Sequence, residues 1–403
     1  MLFLMDFSHR PLSASTLFPC RLTAQNGRVA LCALGLVLFL SGQSLFSQGS
    51  LTPPGAPAPT MKTLAQIEPR TAITNSGPVT ISRPGSYYLT TNITVSFSTG
   101  ITIATNNVTL DLNGFSIFTT DPSPGSTGIY INNTMHDIHM FNGHITGGIT
   151  NNGGVFNGPG FYYGVYHAGN SRNVRASSIT VSGCLYHGIM LGVGINSMIE
   201  SCQVDTVGGY GLWATTIRDS SASGCGQSGM YGYTILNCFS SSGSGDPALS
   251  GLTVENCYAT STAGDAISAQ NALNCNGYCS GSGRALTAAS ASNCKGYSAA
   301  NTALFGTVLH NCAGQGGGTG AGILGILAQN CYGNATGSGP GINATVVNNC
   351  YAVSVSGSAI TGNIVTGSYG SSSSGTGINT TIANSSLGYG SPGVSASFKY
   401  NMP

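Results

Sequence analysis

Charge is what this chain has least of: twelve Lys and Arg and eleven Asp and Glu make 6% of 403 residues, with a net charge near +1. Without a basic field or an acidic tail, the composition argues against a nucleic-acid partner. The acidic residues stand singly. No Asp-Asp pair supplies the two carboxylates of a glycoside hydrolase, and no clustered set offers the oxygens of a calcium site. No Cys-x-x-Cys pair occurs, and the seven His have no metal-ligand spacing, so neither a zinc site nor any other cofactor is expected. No Gly-x-Ser-x-Gly sits in a strand-to-helix setting, and the glycine-rich residues 316–320 lack the Lys of a phosphate loop. No stretch of the repeats shows a 3.6-residue apolar period, which excludes helical repeats.

What the chain does have is glycine, 60 residues of it, 13 Cys, and a period. From Cys202 a small residue recurs every 17 to 19 positions: Ser220, Cys238, Cys257, Cys275, Cys294, Cys312, Cys331, Cys350, Ser368, Ser385. A second ladder, from Leu212 through Met230, Leu249 and Ile267 to Ile378 and Val394, runs 8 residues ahead of the first, except that 378 to 385 is 7. Three residues before each small rung stands an apolar one, as in Val254 before Cys257 and Val347 before Cys350. Coils of about 18 residues can hold three short strands and three turns, and stacking them pairs each strand with its neighbours at about 4.8 Å. The expected fold is therefore all-β: a single-stranded right-handed parallel β-helix with an N-terminal cap.

The thiols on the ladder are read as an internal stack of small groups, because unoxidised Cys packs like a small hydrophobe. In-register positions rarely meet disulfide torsions. Cys184, Cys225 and Cys279 lie off the ladder, and a bridge among them stays open.

Ahead of the repeats the chain changes character. Arg10, Arg21 and Arg28 precede an apolar run at residues 29–40 and then small and polar residues. That is the layout of a secretory signal, or of an uncleaved anchor, over residues 1–48. The expected location is outside the cytoplasm: extracellular, cell-surface or periplasmic. Residues 49–76 read as a Pro-rich linker and a short capping helix at 61–70, residues 77–398 as the β-helix, and 399–403 as a tail.

Several segments also carry a resemblance: Gly-Ser-Leu-Thr-Pro-Pro-Gly-Ala-Pro-Ala-Pro-Thr-Met-Lys-Thr-Leu at 49–64, Ile-Glu-Pro-Arg at 67–70, Pro-Gly-Ser-Tyr-Tyr-Leu at 84–89, Asn-Val-Thr-Leu-Asp-Leu-Asn-Gly at 107–114 and Lys-Tyr-Asn-Met-Pro at 399–403. They resemble exported right-handed β-helix proteins of the Verrucomicrobia and related bacteria. The repeats are similar to those of pectate lyases and NosD-like periplasmic proteins, with Cys where many relatives place Asn. The resemblance implies fold and export. It does not imply an activity, since this fold carries lyases, hydrolases, epimerases and binders alike.

Two groups of residues are candidates for a site. If Asp111, Phe141, Ser177, Cys202 and Ser220 are equivalent rungs, the residues two before them, Thr109, His139, Arg175, Glu200 and Arg218, stack down one face. His139, Arg175, Glu200 and Arg218 could then neutralise a uronate carboxylate and move its neighbouring proton, as a polysaccharide lyase or epimerase must. The simpler account, preferred here, is an outward row of mutually paired charges. The second group is aromatic: Tyr162, Tyr163, Tyr166 and His167, then Tyr186, His187 and Trp213, with Phe156, Phe161, Tyr210, Tyr231 and Tyr233 nearby. Aromatic faces beside a few polar groups suit sugars, although the same rings could fill a widened core. The function expected is a surface or extracellular module that binds carbohydrate, a polysaccharide or cell-surface glycan, or that serves as an architectural spacer.

Overall fold

In the coils after residue 202 one strand of seven residues alternates with one of three to five, as in Ile267–Leu273 and Asn276–Cys279, and each lies parallel to its counterparts one coil before and after. The computed structural model describes residues 68–402, except 122–124 and 168. Over these residues the chain is an all-β parallel solenoid of about 17 turns with no helix. The expected signal or anchor, the Pro-rich linker and most of the expected capping helix lie outside the described residues. Residues 68–70, the end of that helix, show no helical turn.

Register explains the ladders. Met230 pairs with Leu249, Leu249 with Ile267, Ile267 with Leu286 and Leu286 with Leu304, so one aliphatic column fills one position of the interior throughout. The residue before each is small: Ala248, Ala266, Ala285 and Ala303 are fully buried. Backbones cross there with no room for more. At Gly314 a Cβ would stand 2.0 Å from the carbonyl oxygen of Gly322, so that coil takes glycine at this inner position, which Ala259 and Ala352 fill in others.

The bend between the long and short strands gives the Cys column its purpose. The residue before each Cys has a left-handed backbone, at φ 53° for Asn237 and Asn274, 55° for Asn293 and 51° for Asn349. Asn is among the few L-residues that adopt this conformation at small cost. Outside, several of these amides chain together: Asn237 Nδ2 donates to Asp219 at 3.1 Å, Asn256 to Asn237 at 3.3 Å, Asn274 to Asn256 at 3.1 Å and Asn293 to Asn274 at 3.2 Å. Inside, the turn leaves a backbone N–H facing the core. The Cys238 N–H donates to Cys257 Sγ at 3.4 Å and the Cys331 N–H to Cys350 Sγ at 3.3 Å. Where Ser replaces Cys the bond is the same, from the Cys202 N–H to Ser220 Oγ and from the Cys350 N–H to Ser368 Oγ, both 3.1 Å. The column therefore does more than fill space: it supplies an acceptor to a buried amide that would otherwise have none.

That role also corrects the last rung. The Ser368 N–H donates to Ser386, and Ser386 is buried, whereas Ser385 takes the left-handed turn at φ 48°. The final spacing is thus 378 to 386, the same 8 residues as elsewhere. All the described cysteines, Cys184, Cys225 and Cys279 included, are buried free thiols. Burial pushes the thiols of Cys184 and Cys225 up to about 12.

The ends differ from the sequence boundaries. Thr71–Ile73 already pairs with residues 87–89, so pairing begins inside the stretch read as linker and cap. Three residues are too few to show a period. Arg70 fastens this end by bonding Glu68 at 2.8 Å and Asp111 at 2.9 Å, with its guanidinium over Tyr88 at 4.7 Å. At the other end Val394–Tyr400 pairs with Ile378–Asn384, so the last strand runs into the expected tail.

Candidate functional site

The early coils carry the longest strands, His136–Thr146 and Arg172–Cys184, and on them the register differs from the expected one. Thr109 pairs with His139 and His139 with Arg175, but Arg175 then pairs with Met198, while Ser177 pairs with Glu200 and Glu200 with Arg218. The true predecessor of Cys202 is Ile179, since Thr180 faces Gln203. The single row expected from the sequence is therefore two rows offset by two residues. Loops of unequal length and the absence of Cys at these bends hid the slip.

The four ionisable residues nevertheless meet across the offset. Glu200 receives Arg175 on one carboxylate oxygen and Arg218 on the other. Its side chain is 16% exposed, against 44% and 39% for the arginines. Burial alone would raise the Glu200 carboxyl; the two guanidiniums outweigh it and hold the group below its ordinary range. His139 stacks on Phe141 with centroids 4.9 Å apart, and its Nε2 lies 2.8 Å from Ser177 Oγ. Burial first, then the charge of Arg175, lowers its pKa, with Glu200 acting the other way. The cluster thus presents a neutral imidazole beside a cation whose partner carboxylate is already shared. Arg175 Nε and Arg218 Nε are buried without hydrogen-bond partners.

The aromatic candidates form a shelf on the outward side of the neighbouring strand face. Tyr130, Tyr166, Met190, Trp213 and Tyr231 succeed one another from coil to coil. Tyr163 stacks on Tyr166 at 4.2 Å, and Tyr162 lies 5.3 Å from Tyr186. The contacts continue from Tyr186 to His187 at 3.9 Å, from His187 to Tyr210 at 5.2 Å, and from Trp213 to Tyr210 at 5.0 Å and Tyr231 at 5.2 Å. Burial pushes the Tyr163 phenol up to about 12, with the neighbouring phenols adding to it. His187 Nδ1 accepts the Tyr210 N–H at 2.9 Å, and burial lowers its pKa to about 4, so the ring is neutral. Trp213 Nε1 is buried and has no protein acceptor.

Two members of the group sit elsewhere. His167 is buried, its Nε2 donating to the Met135 carbonyl at 3.1 Å and its Nδ1 accepting the Gly169 N–H at 3.2 Å, which makes it a brace between coils. Phe161 is fully buried in the core. Among the described residues no three metal-ligating side chains gather.

Sequence reasoning missed a third feature. An aromatic residue directly follows several rungs of the Cys column, as at Phe239, Tyr258, Tyr332, Tyr351 and Tyr369, and these rings stack from coil to coil. Between this row and the asparagine row lie open troughs of ≈ 740 Å³ and ≈ 730 Å³. The Cys-Tyr and Cys-Phe dipeptides were the available signal.

No protein-family model matches the chain, and no curated protein sequence matches it. Among solved structures it is similar to the A-module of the mannuronan C-5 epimerase AlgE4 of Azotobacter vinelandii, at 12% identity and a TM-score of 0.31 over 79% of this chain and 89% of that one. The AlgE6 A-module of the same organism gives 13% and 0.27 over 79% and 84%. The Dettilon tailspike protein gives 10% and 0.24 over 82% and 61%. Likenesses at this level carry no argument about this chain.

Proposed function

We propose that the chain is an exported, non-catalytic β-helix module that binds carbohydrate, a polysaccharide or cell-surface glycan, on the aromatic shelf. The observation that carries this reading is the shelf itself: adjoining tyrosines and Trp213 spread over successive coils, packed on the buried, neutral His187. Sugars present apolar ring faces and a rim of hydroxyls, and such a surface answers both. Export is supported by the arginines and apolar run of residues 1–48 and by the resemblance to exported β-helix proteins. The test is a glycan array on the exported form, followed by Tyr163→Ala and Trp213→Ala. Loss of the retained glycan in both variants supports the reading, and an array with no retained glycan leaves an architectural spacer in its place.

A second reading has one observation in its favour. His139 is a neutral base beside Arg175, a pairing suited to a polysaccharide lyase or epimerase acting on uronate polymers. Against it, both oxygens of Glu200 are occupied by Arg175 and Arg218, which leaves no free second acid. Unsaturated product or inverted uronate formed by the wild type and lost in both His139→Ala and Arg175→Ala would establish the enzyme.

A further inference from the structure

The ≈ 740 Å³ trough of the C-terminal coils has two unlike banks. Asn311, Asn330 and Asn349 form one; Tyr332, Tyr351 and Tyr369 form the other, in register one coil apart. The rings stack with centroids 5.6 and 5.0 Å apart at 17° and 15°, so their faces are spent on each other and their edges and hydroxyls meet solvent. Tyr332 and Tyr351 remain 43% and 46% exposed. The amide-to-amide chain that joins the earlier asparagines ends at Asn293, and among the described residues Asn311, Asn330 and Asn349 have no such bond. Each therefore offers a free donor and a free acceptor. No Lys, Arg, Asp or Glu lines the trough.

We propose that this trough is a second carbohydrate site, for an uncharged linear glycan lying parallel to the helix axis. The absence of any cation leaves nothing to compensate an acidic polymer, and the paired donors and acceptors suit hydroxyls that both give and accept. The same pair of banks recurs once per coil, about 4.8 Å apart, so a ligand with a repeating unit gains at each step. The ligand class rests on the carbohydrate reading above, while the location of the site is independent of it.

The test is calorimetric titration of the purified exported chain with cellotetraose, mannotetraose and laminaritetraose, with tetragalacturonate and glucose alongside. At least one neutral tetrasaccharide binds, glucose binds far more weakly, and tetragalacturonate does not compete. Tyr351→Ala, at an exposed position, and Asn330→Gly, which keeps the left-handed turn without strain, each weaken binding about five- to tenfold, and Leu252→Ala, exposed on a long strand away from the trough, leaves this binding unchanged. The proposal is overturned if no neutral tetrasaccharide binds, if tetragalacturonate binds as tightly, or if Trp213→Ala removes binding that both trough variants retain. In the last case the shelf stands and the trough falls. Binding lost only in the trough variants establishes the trough and leaves the shelf to its own glycan-array test.

Discussion

Asn274 offers a direct test of why the coil turns where it does. It sits at φ 53°, with its side chain donating to Asn256 at 3.1 Å and accepting from Asn293 at 3.2 Å. Replacing it by Ala forces a Cβ-bearing residue without a local polar group into the left-handed region, at about 1–2 kcal/mol. It also removes two solvent-exposed amide bonds worth about 0.5 kcal/mol each. Asn274→Ala is thus expected to cost about 2–3 kcal/mol. Asn274→Gly loses the same bonds but adopts the turn freely, so it is expected to cost about 1 kcal/mol. The contrast between the two isolates the backbone contribution. Urea denaturation followed by circular dichroism and by Trp213 fluorescence measures both, with coincidence of the two probes checking that the stacked coils unfold together. Equal midpoints for the Ala and Gly variants at unchanged slope would refute the claim that left-handed geometry sets the bend.

Other expectations follow from the charged and buried groups. Since the His187 pKa falls from 6.5 to about 4 on folding, the unfolded chain binds the extra proton between those values. Stability is then complete above pH 6.5 and declines by about 1.4 kcal/mol per pH unit toward pH 4, of the order of 3 kcal/mol in all. His187→Asn, which keeps an acceptor for the Tyr210 N–H, should flatten the denaturation midpoint over that window; an unchanged slope would exclude His187 as the cause. Glu200 has a depressed pKa, so its contribution is present above 4.5 and is lost as the pH falls further. Because its two arginine partners are well exposed, Glu200→Gln is expected to cost only about 1–2 kcal/mol at pH 7, and a loss under 0.5 kcal/mol would show that the pairs contribute nothing net. With Cys184 and Cys225 raised to about 12 and Cys202 to about 11 by burial, iodoacetamide at pH 8 should leave all three unlabelled in the native protein and label them in guanidinium. Native labelling at Cys184 would contradict its place in the core.

The repeating half of the fold was legible because stacking in register demands the same side-chain size at the same position of every coil. Leu249, Ile267 and Leu286 must match, and so must Cys257, Cys275 and Cys294. The bend at Ser385 was misread because Ser serves both as the left-handed residue and as the inner acceptor, and two adjacent serines, Ser385 and Ser386, give no sign of which does which. In the early coils Gly143 and Ile179 occupy the inner position that Cys holds later, so no chemical mark fixed the register and the charged row was drawn as one line. His139, Arg175, Glu200 and Arg218 still proved to be neighbours, since long side chains reach across an offset of two residues. The aromatic shelf could be named but not divided: nothing in the order of Phe161, Tyr163 and His167 shows that the first and last point inward.

Interchangeable coils have a consequence for length. Removing residues 276–294 joins Cys275 to Lys295, and every inward column then meets an equivalent neighbour, Ile267 being followed by Leu304 instead of Leu286. The molecule behaves as a measuring rod graduated in whole turns, which gene duplication or excision can lengthen or shorten one notch at a time without redesigning its interior.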